Sequence, residues 1–318
     1  MNRPKTFLAF FTLLAGVCAC FQGAINPYYF DILMMIGINI VLGVSLNLVN
    51  GYTGQFSLGH AGFMAVGAYV SAAVTVLLGW GFVAALVLGG LGAALAGLAV
   101  GVPSLRLKGD YLAIVTLGFG EIIRVVLQNT EAVGGSRGFS IPIRATGLFG
   151  TYMAAALTVY VVVLLVHSTY GRGFLAVRDD EIAAEAMGIN TTKYKVIAFV
   201  VAAFFAGVAG GLYAHFKQFI HPEGFGFLRS VDIVVIVILG GMGNTPGVIL
   251  AAILLTILPE GLRALAGWEV LPAGVRGLIQ NRMILYSLLL IGLMLTRPQG
   301  LFAGGGKFAR WLKRRVSA

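Results

Sequence analysis

Apolar runs of membrane-crossing length follow one another along nearly the whole chain. A helix needs about 20 apolar residues to cross the hydrocarbon core of a bilayer. Candidate runs lie at about 6–25, 28–49, 60–78, 81–102, 110–128, 148–167, 196–214, 231–242, 246–262 and 280–296. They predict an all-α integral membrane protein: a polytopic bundle of about ten transmembrane helices with broken or re-entrant segments, forming one domain over 1–318. The eighth run is short, which suits a broken or re-entrant segment. The first twenty residues imitate a secretory signal, with Arg3 and Lys5 ahead of an apolar stretch that contains Cys18 and Cys20. Further spans follow at once, so a first transmembrane helix is the better expectation.

Two stretches interrupt the apolar pattern. One runs from Asn50 through Gly54, Gln55 and Ser57 to His60. The other covers Gly240, Gly241, Met242, Gly243, Asn244, Thr245, Pro246 and Gly247. Irregular backbone at membrane depth is tolerated only where it is buried in protein or lines a wet cavity. Interrupted segments in two halves of a chain point to a transport pathway. Gly54, Gln55, Ser57, His60, Gly240, Gly241, Gly243 and Asn244 are therefore candidates for a translocation pathway. Tight loops at the membrane interface are the plain alternative, and for His60 a satisfied interface histidine.

Small residues recur at four-residue spacing at Gly89, Ala93, Gly97 and Gly101, and again at Ala203, Gly207 and Gly211. Such ridges let membrane helices approach closely.

Charge refines the topology. Only 11% of residues are charged, against about 25% in a soluble domain. The net charge of +10 does not indicate nucleic acid, because the basic residues sit in short loops and in the tail. Ten crossings place Arg3, Lys5, Arg106, Lys108, Arg172, Arg178, Lys193, Lys195, Arg297 and five tail residues on one side. Arg137, Arg144, Lys217, Arg229, Arg263, Arg276 and Arg282 fall on the other. The bias predicts both termini in the cytoplasm, with 297–318 a basic cytoplasmic tail. Glu121 and Arg124, three apart within the fifth span, read as a structural ion pair or as a gate contact. Asp31 starts the second span, where it can reach lipid headgroups.

Residues 168–195 form a cytoplasmic loop with internal design. Asp179, Asp180 and Glu181 place negative charge where a helix would begin. Ile182, Ala183, Ala186 and Ile189 then recur with helical spacing. Gly188 suits a C-terminal stop, and Thr191 or Thr192 a cap for the next helix. A helix this short is unstable alone and must dock, on the protein's own membrane surface or on a soluble partner.

The stretch 176–190, Ala-Val-Arg-Asp-Asp-Glu-Ile-Ala-Ala-Glu-Ala-Met-Gly-Ile-Asn, resembles the permease subunits of bacterial branched-chain amino acid ABC importers. So do Asn50–Gln55 with Ser57–Phe63, Gly109–Gly118, Ala206–Ala214, Leu239–Gly243 and Arg297–Phe302. Urea and short-amide importer permeases share these patterns. The resemblance implies half of a transmembrane pore in the bacterial inner membrane, paired with a second homologous permease. Two ATPase subunits would sit beneath, and a periplasmic binding protein would deliver substrate. Residues 177–189 would be the coupling helix, with Arg178, Asp179, Asp180, Glu181, Ile182, Ala183, Ala186, Met187 and Gly188 meeting the ATPase. Ile182 stands where many ABC importer permeases carry Glu.

Catalytic chemistry is not expected. Gly304-Gly305-Gly306-Lys307 lacks the spacing of a phosphate-binding loop, and no histidine pair has metal-ligand spacing. The chain is expected to be no enzyme and to bind no cofactor, ATP being used by its partners. A stand-alone secondary transporter or channel is the competing class, and a membrane-embedded enzyme a more distant one.

Overall fold

The computed structural model describes residues 26–104, 109–142 and 144–266, with the isolated positions 16, 288, 291, 292, 296, 300 and 301. The expected spans 6–25 and 280–296 and nearly all of the basic tail lie outside the described residues. Within them the apolar runs become helices. These are α1 (Pro27–Asn47), α2 (His60–Val76), α3 (Phe82–Ser104), α4 (Asp110–Asn129) and α5 (Leu148–Val166), then α6 (Thr169–Asp179), α7 (Glu181–Ala186), α8 (Thr191–Lys217), α9 (Phe227–Gly240) and α10 (Thr245–Ala266). Among the described residues, five segments are long and apolar enough to cross a bilayer: α1 with its continuation to Tyr52, α3, α4 from Tyr111, α5 and α8; α2 and α10 are shorter apolar helices. Among the described residues one two-residue antiparallel pair, β1 (Phe139–Ser140) with β2 (Phe219–Ile220), departs from an all-helical reading.

The small-residue ridges explain the centre. A Cβ on Gly67 of α2 would collide with the backbone of Gly207 on α8. One on Gly207 would meet the Ala93 side chain and lie 2.8 Å from the Gly89 carbonyl oxygen of α3. One on Gly97 would lie 2.5 Å from the Ala203 side chain. Three helices thus meet at backbone distance, where dispersion replaces the hydrophobic force that lipid cannot supply. On the opposite side of α3, Val83, Val87, Leu91 and Leu95 repeat every four residues and are exposed, as a lipid-facing stripe requires.

Loop 168–195 corrects one expectation. It holds two helices rather than one over 177–189, because Asp180 is extended (φ −159°, ψ 109°) and separates α6 from α7. Arg178 and Asp179 therefore end α6, while Ile182, Ala183 and Ala186 lie on α7. Asp180 caps α7, its Oδ1 accepting from the Ile182 and Ala183 amides. The Gly188 amide donates to the Glu185 carbonyl and the Ile189 amide to the Ala184 carbonyl, closing the helix as Gly188 turns left-handed (φ +81°). Asn190 caps α8 rather than Thr191 or Thr192, accepting from the Lys193 amide. Gly188→Ala forces a left-handed conformation that costs an L-residue about 1–2 kcal/mol. In a helix of six residues that frays the end, so proteolytic cleavage over 186–190 should rise several-fold.

Candidate functional site

Both interruptions of the apolar pattern come together at the end of the bundle that carries α6 and α7. The chain leaves α1 through a π-helical turn, Leu48–Tyr52, and then runs extended to His60. The Asn47 Oδ1 accepts from the Gly243 amide at 2.9 Å, and the Tyr52 and Thr245 hydroxyls lie 2.9 Å apart. The Gln55 amide donates to the Val49 carbonyl, and the Ser57 amide to Asn50 Oδ1. The Leu58 amide donates to Thr116 Oγ1 on α4 and the Ala61 amide to Ser230 Oγ on α9. Leu301 donates its amide to the Leu239 carbonyl at 2.8 Å, beside the second interruption.

Arg178 ties this junction to the loop. Its stem lies under Gly54, where a Cβ would sit 2.9 Å from Arg178 Cγ. Gly54 also has φ +69°, so both space and conformation call for glycine. A Cβ on Gly243 would lie 3.4 Å from an Arg178 guanidinium nitrogen. The guanidinium also donates to Asp179 Oδ1. One side chain at the end of α6 thus touches both interruptions.

Gln55, Ser57, His60, Gly240 and Gly241 are buried, Gly243 and Asn244 are half-buried, and Gly54 is exposed. They are packed against protein at this end, the first of the two settings that irregular backbone permits. His60 Nε2 lies 2.9 Å from the Ser45 hydroxyl. The seam is polar and incompletely satisfied. Asn47 Nδ2, Asn50 Nδ2 and both side-chain amide atoms of Gln55 are buried with no hydrogen-bond partner in the protein, and leaving such an atom unpaired costs about 1–3 kcal/mol.

The α7 helix has two contrasting sides. Glu181 Oε1 forms a 2.7 Å ion pair with the buried Lys195, and Glu185 Oε1 accepts from Thr191 Oγ1 at 2.7 Å. Those carboxylates, one turn apart, hold α7 to α8, and Ala184 beside them is buried. The apolar residues point the other way: Ile182 is 73% and Met187 82% exposed.

At the opposite end of α9 lies a cleft of about 480 Å³. Glu121, Arg124, Glu223, Arg229 and Asp232 line it. Glu121 and Arg124 form the expected pair at 2.7 Å. Arg229, expected in a loop, instead begins α9 and donates to Asn39 Oδ1 on α1 at 3.0 Å, and Asn39 Nδ2 donates to Thr256 on α10. Contacts spanning 190 positions leave no trace in local pattern. The visible signal was Arg229 and Asp232 three apart at the head of an apolar run. Asp31 also finds a partner, Lys217, at 2.8 Å.

A family model described as branched-chain amino acid transport system, permease component, matches residues 28–296. The high-affinity branched-chain amino acid transport system permease protein LivM of Salmonella typhimurium is 40% identical over 306 residues, covering 85% of this chain and 69% of that protein. LivM of Escherichia coli K12 is 39% identical over 307 residues, with the same coverage. The permease protein LivH of the same strain is 26% identical over 244 residues, covering 68% of this chain and 79% of that one.

Proposed function

We propose a function from one premise: this chain belongs to the family of permease components of branched-chain amino acid transport systems. It is a multi-pass membrane protein and a transport subunit rather than an enzyme. On that footing it is the transmembrane permease of an ATP-driven ABC importer that moves branched-chain or related amino acids into the cytoplasm by alternating access. Both termini and α7 face the cytoplasm of a bacterial inner membrane. ATP is bound and hydrolysed by two separate ATPase subunits, and a periplasmic binding protein delivers substrate.

The observation that carries this reading is the exposed apolar side of α7, held out from the bundle by Glu181 and Glu185. Ile182, Ala183, Ala186, Met187 and Gly188 form the surface that enters the ATPase groove, and Asp180 and Glu181 set its orientation. Movement of α7 and α6 reaches the two interruptions through Arg178. The unsatisfied amides at the junction favour a second arrangement that pairs them, as a gate with two states needs. Residues 54–60 and 240–244 are then the cytoplasmic gate of the pathway.

A second permease is supported by α4. The span Tyr111–Asn129 is only 17% buried, against 83% for the α1 segment, although it carries Glu121 and Arg124. Charge at that depth belongs against protein or a wet cavity rather than lipid.

Arg178→Ala removes the link to the two interruptions and leaves the exposed apolar side of α7 in place. Uptake should fall about tenfold or more while the ATPase subunits still co-purify. The function itself is tested by mild-detergent purification of the tagged chain from its native membrane, with mass analysis of what remains bound. Recovery of ATPase subunits and a second permease supports the reading. A homo-oligomer that transports on a proton gradient without ATP would replace it with a stand-alone transporter.

A further inference from the structure

We infer that the cleft at the head of α9 is a subsite for the zwitterionic head group of an α-amino acid on its way through the membrane. The inference rests on the transport function proposed above and adds to it a place and a chemistry.

Depth is the first observation. Helix α9 has 14 residues, a length of about 20 Å at 1.5 Å per residue. The hydrocarbon core is about 30 Å thick, so α9 cannot reach both surfaces; with its Gly240 end at the cytoplasmic gate proposed above, its head lies inside the bilayer. Its head carries Arg229, whose guanidinium reaches Asn39. Asn39 is the thirteenth residue of the 26-residue segment Pro27–Tyr52, half-way along a membrane-crossing element. Ionisable groups at such depth pair with one another or face water-filled cavities that substrates use.

Open charge is the second. Of the five ionisable side chains in the cleft, Glu121 and Arg124 are paired. Among the described residues, Glu223, Arg229 and Asp232 form no ion pair within 4 Å; Arg229 donates to Asn39 and has the opposite charge of Asp232 nearby, one turn along α9. A guanidinium and carboxylates that remain open to one cavity match a ligand carrying one carboxylate and one ammonium group. Arg229 takes the carboxylate, for which its planar fork is suited. Asp232 and Glu223 take the ammonium.

Shape and lining are the third. A volume of about 480 Å³ suits a small solute. Phe227 and Leu228 line the same cleft, and Leu228 is 77% exposed. They offer apolar surface for an aliphatic side chain beside the charged groups. A free inorganic ion would need only one sign of charge and no apolar wall.

The test uses the complete complex in proteoliposomes. Gly224→Cys, at a position where a Cβ meets no atom within 4 Å, serves as reporter in the cleft. Its reaction with a charged maleimide is followed by mass analysis of the reporter peptide, without the binding protein. ATP-dependent leucine uptake with the binding protein is measured on the same preparation. Saturating leucine should slow labelling at least fivefold. Leucinamide, which lacks the carboxylate, and 4-methyl-2-oxopentanoate, which lacks the ammonium, should not. Arg229→Gln or Asp232→Asn should remove the protection by leucine.

Active uptake with no protection, or equal protection by all three compounds, overturns the subsite and leaves the transport function standing. Absence of ATP-dependent leucine uptake by the unsubstituted complex overturns the transport function and this inference with it. If Gly224→Cys does not assemble, Gly226→Cys, in the same cleft and with no atom closer than 3.4 Å to its Cβ, replaces it with the same expected pattern.

Discussion

Replacing Ile182 and Met187 together by Asp is expected to abolish ATP-driven uptake while leaving the chain inserted and folded. Both side chains are exposed, and both belong to the side of α7 that faces away from the bundle. Burial of such a side chain contributes about 1.5–3 kcal/mol. Loss of two removes about 3–6 kcal/mol of docking, and the new carboxylates add the penalty of burying unpaired charge. The ATPase should bind at least about 100-fold more weakly, each 1.4 kcal/mol being tenfold. Size-exclusion profiles of the isolated permease should not change, because no contact within the described chain is lost. Co-purification of the ATPase with the double variant at wild-type yield would contradict this.

Gly207→Val has the second large effect, and it acts on the fold instead of on docking. A Cβ at this position already collides with Ala93 and approaches the Gly89 carbonyl at 2.8 Å. Two further methyl groups force α3 and α8 apart along their ridge. Overpacking in a well-packed core costs about 1–3 kcal/mol when side chains give way. Here the obstacle includes backbone, so the upper end or beyond is expected. The variant should aggregate in mild detergent or melt well below the parent. Gly150→Val on α5, where a Cβ meets nothing within 4 Å, should behave as the parent does. Equal melting of both variants would show that the three helices do not depend on close approach.

The helices that could be read from the sequence are those whose signal is carried by about twenty consecutive residues. The expected runs 28–49, 81–102 and 148–167 each coincide with a helix to within a few residues. The small-residue ridges also pointed to their own function, because four-residue spacing places Gly89, Ala93 and Gly97 on one side of α3. Helix α6 has no such signal. Gly171 and Gly173 argue against a helix by propensity, each by about 1 kcal/mol. The structure overrides that preference. A Cβ on Gly171 would strike the Val166 carbonyl, and one on Gly173 the Tyr194 ring, so glycine is what lets α6 turn tightly and pack on α8.

The site was legible in parts. Asp180 and Gly188 mark the ends of α7 through local chemistry, and local chemistry is what a sequence displays. The union of the two interruptions was not visible, since it depends on Asn47 meeting Gly243 and Arg178 lying beneath Gly54. The cleft was hidden for the same reason. Arg229 looks like a loop cation until α1 brings Asn39 to it.

The central claim is that α7 is the surface through which an ATPase drives this permease. It is tested most directly by placing a photo-activated cross-linker at Met187→Cys in native membranes and identifying the adduct by mass. A cross-link to an ATP-binding subunit, diminished by the Ile182→Asp substitution, is the expected result. Adducts only with lipid or with the chain itself, in membranes that still show ATP-dependent leucine uptake, would contradict it.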